Sequence, residues 1–173
     1  ECIIYNDTDS SYISISPLIE NGIKFFEDEE NGIIHQETYV EIQRIEDKLN
    51  EDIDIWARKA LLTKDPRFIF KRECIADVGV FLQKKRYVMH ILDDESIREN
   101  KFKYTGVEVV RTTMPNAIKP YAKRIIETML TTQSLAQTNE VLNETYKVFK
   151  TLSPEDMAFV MGVKSYEKYA DKC

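Results

Sequence analysis

Tyr5-Asn6-Asp7-Thr8-Asp9-Ser10, continued by Ser11-Tyr12-Ile13-Ser14-Ile15, is the stretch around which the rest of the chain can be placed. One apolar run, Cys2-Ile3-Ile4-Tyr5, leads into the polar centre, and a second, Tyr12-Ile13-Ser14-Ile15, leaves it. Two β-prone runs around an Asn- and Asp-bearing centre predict two strands joined by a tight hairpin turn. The turn would carry two carboxylates one residue apart at the tip of a sheet. Carboxylate oxygens on a stiff scaffold suit a hard divalent cation such as Mg2+. Taken alone, an Asp-x-Asp turn is more often a solvated surface hairpin, so its weight depends on the other 160 or so residues of the chain.

Ser16-Pro17 ends the second strand, because proline cannot donate to a ladder. Residues 18–26 suit a short helix or turn, and Glu27-Asp28-Glu29-Glu30-Asn31-Gly32 reads as an exposed acidic loop. Over residues 38–62, Val40, Ile42, Ile45, Leu49, Ile53, Trp56 and Ala60 recur mostly at three- and four-residue spacing. That predicts a long amphipathic helix with Trp56 in the core, stopped at Asp65-Pro66. Residues 67–111 change to strand composition with interleaved charges, a small antiparallel β-region in which 102–110 form the last strand. The remainder is helical. Pro115 or Pro120 opens the first of these helices. A second helix over 134–152 buries Leu135, Val141, Leu142, Tyr146 and Phe149. Ser153-Pro154-Glu155-Asp156 carries a helix-start signature, a Ser cap with Pro next to it.

Composition bounds the function classes. At 173 residues the chain can bury a real core, and its 43% hydrophobic and 31% charged content is that of an ordinary globular protein. No apolar run approaches membrane-spanning length. Cys2, Cys74 and Cys173 lack any Cys-x-x-Cys spacing and read as reduced thiols of a cytosolic protein. The chain opens in a strand without a methionine, which reads as a piece of a longer protein. The net charge of −6 argues against a polyanion partner until its distribution is seen. Residues 1–62 hold 5 Lys/Arg and 15 Asp/Glu, whereas residues 63–130 hold 14 and 9. An acidic start beside a basic middle suits a metal site next to a polyanion surface.

Lys84-Lys85-Arg86-Tyr87 is the second cluster. On a strand, Lys85 and Tyr87 would share one face and Lys84 and Arg86 the other. Such a strand can lie against a duplex, cations on phosphates or groove acceptors and the phenol hydrogen bonding. A solvated edge strand, where lysine is favoured, is the simpler alternative for the cluster in isolation.

Order along the chain then adds a resemblance. Tyr5-Asn6-Asp7-Thr8-Asp9-Ser10 resembles the Tyr-x-Asp-Thr-Asp-Ser signature of family B DNA-directed DNA polymerases. A helical segment, Lys84-Lys85-Arg86-Tyr87, and Thr105-Gly106-Val107-Glu108-Val109-Val110-Arg111 come next in that family's order. Phe70-Lys71-Arg72-Glu73-Cys74-Ile75-Ala76 is similar to a strand of the replicative polymerases of T-even-like phages.

The resemblance implies an α+β fold: a palm-derived antiparallel hairpin and sheet with one long helix over 1–111, then a helical thumb portion over 112–173. It implies Asp9 as direct metal ligand and Asp7 as supporting acid, with Tyr5, Thr8, Ser10 and Gly106 as scaffold. Lys84, Lys85, Arg86 and Tyr87, with Arg111 and Lys119, would touch DNA. The expected chemistry is two-metal phosphoryl transfer with Mg2+ on primer-template DNA and deoxynucleoside triphosphates. A processivity clamp is expected as partner of the complete enzyme, and the cytoplasm, that of the infected cell if viral, as its location. The remaining metal ligands would lie outside the chain, leaving it inactive alone. Two rival readings stand beside this: a non-enzymatic nucleic-acid-binding module with a structural acidic hairpin, and a Mg2+-dependent phosphohydrolase. His35 and His90 show no ligand-like spacing and read as loop or packing residues.

Overall fold

A computed structural model of the chain describes residues 2–159 and 162. The fold is mixed α+β, with antiparallel sheets and helices. Its elements run β1 (Ile3–Asp7), β2 (Ser10–Ile13), α1 (Ser16–Glu20), β3 (Phe26–Asp28), β4 (Ile33–Ile34), α2 (Gln36–Ala60), β5 (Cys74–Gln83), β6 (Arg86–Asp94), β7 (Ile97–Thr105), α3 (Lys119–Thr132), α4 (Leu135–Phe149) and α5 (Pro154–Met157). A 3-10 turn covers Glu108–Val110. β1 pairs β2, β3 pairs β4, and β5-β6-β7 form a three-stranded sheet in chain order.

The chain divides into two compact units, one of residues 1–77 and 90–101, the other of 78–89 and 102–173. The units sort charge as the sequence does. The first carries 11 Lys/Arg against 22 Asp/Glu, a net of −11, and the second 13 against 8, a net of +5.

In the first unit, Ile34, Ile75 and Leu92 form the buried core, with Phe25, Phe26, Tyr39 and Ile42 packed on it. The acidic stretch after Phe26 is not all loop. Asp28 belongs to β3, and its carboxylate accepts from the Asn31 main-chain N–H at 3.1 Å and side-chain amide at 2.7 Å. The Asn31 amide thereby holds the Asp28 carboxyl below the usual carboxylate range. Periodicity locates α2 within two residues at each end, but not its seam. Thr38 and Ala57 are its buried residues, and Trp56 is 52% exposed. A helix turns about 100° per residue, so packing on Ala57 swings Trp56 outward. The core position expected for Trp56 is therefore corrected. His35 caps α2, its Nδ1 accepting from the Glu37 N–H at 3.2 Å.

Segment 67–73, expected as strand, forms none. The main-chain groups of Phe70 and Arg72 bond to α2 side chains instead of a ladder. Asn50 donates to the Phe70 carbonyl at 2.8 Å and accepts from its N–H at 2.7 Å, and Glu46 accepts from the Arg72 N–H at 2.8 Å. The Arg72 guanidinium reaches the buried Asp93 carboxylate, which also accepts from the Tyr39 hydroxyl and the Ser96 N–H, each at 3.1 Å. Burial, with the Asp93 charge behind it, pushes the Tyr39 phenol up.

β6 is the central strand, and every residue between its two ends is buried. That explains why Tyr87-Val88-Met89-His90-Ile91-Leu92-Asp93 shows no in-out alternation. His90 stitches three strands: Nδ1 meets Asp77 Oδ1 and Nε2 meets Asn100 Oδ1, both at 2.8 Å.

The second unit packs Val88, Val107, Val109 and Leu130 as core, with Phe102, Tyr104, Ala122 and Ile126 among its flanks. β7 stops at Thr105 because Gly106 turns at φ +62, so residues 108–110 form the 3-10 turn rather than the expected strand end. α3 starts with Pro120 in its first turn, which decides between the two prolines. Ser134 and Ser153 cap α4 and α5, accepting from Gln137 and Asp156 main-chain N–H groups. On α4 the buried residues are Thr138, Val141 and Thr145, whereas Leu135 is 76% exposed and Leu142 and Tyr146 are exposed too. The burial expected for those three is thereby corrected. The seam follows residues 138, 141 and 145, at helical spacing of three and four.

Candidate functional site

The first candidate element is the β1–β2 hairpin. Asp7 pairs with Ser10 across it, Asn6 with Ser11 and Tyr5 with Tyr12. The turn therefore consists of Thr8 and Asp9, and Asn6 and Asp7 lie on β1 rather than in the turn as expected. Thr8 adopts φ +49, the left-handed conformation that tight two-residue hairpins demand. Its hydroxyl donates to Asp7 Oδ1 at 3.3 Å, and the Ser10 hydroxyl to the Asp7 carbonyl at 3.1 Å. Tyr5 and Tyr12 stack at 5.5 Å between ring centres and brace the strands behind the tip. Asp7 is half-buried against this frame and Asp9 is exposed at the turn.

Two carboxylates on one hairpin tip have the donor chemistry of a hard cation, which takes oxygen ligands. Among the described residues no group of three or more His, Cys, Asp or Glu stands together as a metal cluster. Asp7 and Asp9 offer carboxylate oxygens, and Mg2+ is commonly bound through one or two carboxylates.

The second element lies in the other unit. Lys84-Lys85 is not strand; it is the two-residue turn between β5 and β6, with Lys85 at φ +61. The alternation argument for this cluster therefore does not hold, because its residues straddle a turn. Lys84 and Lys85 are exposed at the tip and Arg86 is half-buried. Tyr87 is 7% exposed and stacks on Phe81 at 5.3 Å, so it is part of the packing beneath the turn.

Gly106 backs this turn so closely that a Cβ there would overlap the Lys85 carbonyl oxygen. Sequence reading missed Glu108: Arg86 Nη1 lies 3.1 Å from Glu108 Oε1, and Arg111 Nη1 lies 3.7 Å from it. An acid and a cation three residues apart, Glu108 and Arg111, were the available signal. Lys119, at the start of α3, donates to Asn116 Oδ1 at 3.1 Å. The basic turn, Gly106, Glu108, Arg111 and Lys119 all belong to one unit, and the acidic hairpin to the other.

The charged network of α3 is structural in character. The Tyr104 hydroxyl donates to Glu127 Oε1 at 2.5 Å, and Lys123 Nζ sits 5.1 Å from the Tyr104 ring centre. Burial, then the bond to Glu127, raises the Tyr104 phenol far above its ordinary value.

Among the described residues no helix is long and apolar enough to cross a membrane. No family model matches the chain. Over 142 residues it is 27% identical to a DNA-directed DNA polymerase of Escherichia phage RB69, an alignment that covers 74% of this chain and 15% of that enzyme. The chain thus spans about a seventh of that relative's length, and across that part it is similar to a DNA polymerase.

Proposed function

We propose that this chain is a piece of a viral family B DNA-directed DNA polymerase, comprising the C-terminal part of the palm over 1–111 and the start of the thumb over 112–173. The observation that carries the reading is the 27% identity with the phage enzyme over 142 residues. Support comes from the paired carboxylates at a hairpin tip and from the basic turn backed by Gly106.

In this reading Asp9 contributes the direct metal-ligating carboxylate and Asp7 supports it, with Tyr5, Thr8 and Ser10 shaping the tip. A pair of Mg2+ ions, when bound, would supply Lewis acidity to the primer 3′-hydroxyl and to the triphosphate. Lys84, Lys85 and Arg86, with Arg111 and Lys119, hold the primer-template duplex by its phosphates, and the buried Tyr87 fixes the turn that presents them. Deoxynucleoside triphosphates are the second substrate. A clamp partner and a cytoplasmic setting belong to the complete enzyme. Two carboxylates do not complete a two-metal site, so the 173-residue chain alone does not extend primers.

The experiment uses the full-length polymerase that contains this segment. Asp9→Ala abolishes primer extension while binding of primer-template DNA stays within about twofold. Lys84→Ala and Lys85→Ala weaken duplex binding, each reducing the slope of log K against log salt by about 0.9. Extension that survives Asp9→Ala would refute the reading.

A further inference from the structure

The second unit contains an apolar cavity of about 160 Å3 to which the polymerase reading gives no task. Val80 and Leu82 of β5, Val107 and Val109 of the segment after Gly106, and Ile126 and Met129 of α3 form its walls. Val107 and Val109, with Val88 also in the lining, belong to the buried core. Two rim residues behave differently: Leu82 is 64% and Met129 43% exposed. A packing defect inside a core is enclosed by buried side chains; this cavity opens between large apolar side chains that face solvent, the pattern of a binding pocket.

Its chemistry restricts the occupant. A water needs two to four polar partners, and the single polar side chain of the lining is Glu108, already held by Arg86 and Arg111. A volume of about 150 Å3 suits a benzene-sized apolar group. The mouth adds charge. Two guanidiniums face one carboxylate at Glu108, and the exposed Lys84-Lys85 turn begins two residues beyond Leu82. The unit as a whole carries a net charge of +5. Nucleic acid answers the cations but offers no bulky aliphatic or phenyl group for valine, leucine and methionine walls. A peptide with an apolar anchor between acidic residues answers both.

We propose that this pocket receives one bulky apolar side chain of an acidic peptide segment on a partner protein. The cavity lining and the hairpin carboxylates belong to different units, and the apolar walls have no part in the polymerase reading, whereas the cations at the mouth, Lys84, Lys85 and Arg111, are ones that reading gives to the duplex.

The test is selection from a phage-displayed library of random dodecapeptides, with the 173-residue chain as bait. Enriched sequences are expected to carry Phe, Leu or Met flanked by Asp or Glu. A fluorescein-labelled copy of the leading peptide should lose affinity at least about tenfold for Leu82→Glu and for Met129→Lys. Both side chains are exposed, so these variants should keep the parent's thermal unfolding midpoint, measured alongside. Arg111→Glu should weaken the same peptide, and added salt should erase the difference. No enrichment over the starting library, a basic consensus, or peptides that bind Leu82→Glu as well as the parent would each overturn the proposal. Two further results would do the same: self-association of the parent lost in Leu82→Glu, which makes a second copy the occupant, or duplex DNA binding lost in that variant without change in peptide binding.

Discussion

Replacing Gly106 by alanine is the sharpest perturbation the structure offers, because two costs coincide there. Gly106 sits at φ +62, and a side chain in that conformation costs about 1 kcal/mol. Its Cβ would also fall inside the 3.0 Å that real Cβ atoms keep, and the atom in the way is the Lys85 main-chain oxygen. The next neighbours, Lys85 C and Arg86 Cγ, are at 3.1 and 3.3 Å, so tilting one side chain brings no relief. The β5–β6 turn has to move by on the order of an ångström, an overpacking cost of about 1–3 kcal/mol. Gly106→Ala should therefore destabilise the chain by about 3 kcal/mol in urea unfolding, a drop in Tm of roughly 6–12 °C at this size. Gly22→Ala separates the two costs, since Gly22 sits at φ +98 with nothing within 4 Å of its Cβ position. That variant should lose only about 1 kcal/mol. Equal losses in the two variants would refute the claim that Gly106 is fixed by contact with the basic turn.

Three further perturbations address the hydrogen bonds and ion pairs inside the two units. Asn50→Ala removes both bonds to the Phe70 main chain and should cost about 2 kcal/mol, with faster hydrogen exchange at the Phe70 amide; an unchanged exchange rate there would count against the α2 anchor. Arg72→Met leaves the buried Asp93 carboxylate without its guanidinium and should cost about 3–5 kcal/mol in the same unfolding assay. Tyr104 holds its proton far above the ordinary phenol value when folded, so the folded chain binds more protons than the unfolded one at high pH. Its contribution is complete below pH 10.0, the ordinary value, and is lost as pH rises from there through the folded value. Tyr104→Phe should be less stable than the parent at pH 7 yet show a shallower loss of stability above pH 10.0, measured by urea titrations across that range.

The elements legible from the amino acids were those whose signal is local. The hairpin runs around residues 5–12, the span of α2 and the Ser134 and Ser153 caps depend on neighbours two to four residues away, and each was readable. Where the reading failed, a distant partner had overridden composition. Segment 67–73 has strand residues, but Asn50 and Glu46 take its hydrogen bonds. Trp56 has the hydrophobicity for a core, but the smaller Ala57 faces inward. At the basic cluster the error was one of register. Alternation gives Lys85 and Tyr87 a common face only if Lys85 is in a strand, and its φ of +61 removes it from one. The same positive φ ends β7 at Gly106, where glycine did advertise a break. The spacing of Glu108 and Arg111 was local, but the Glu108–Arg86 pair needed the fold, because Arg86 lies 22 residues back.

Thr8 carries a consequence for the natural variation of the hairpin. It is a β-branched residue at φ +49, a conformation asparagine or glycine occupies more cheaply by about 1 kcal/mol. Drift under selection for stability alone would therefore replace it. Threonine supplies a hydroxyl there, which bonds the Asp7 carboxylate. Under the proposed polymerase role, a library of all substitutions at position 8 should rank in opposite directions by resistance to proteolysis and by primer extension in the full-length protein, with asparagine and glycine first in one order and threonine first in the other.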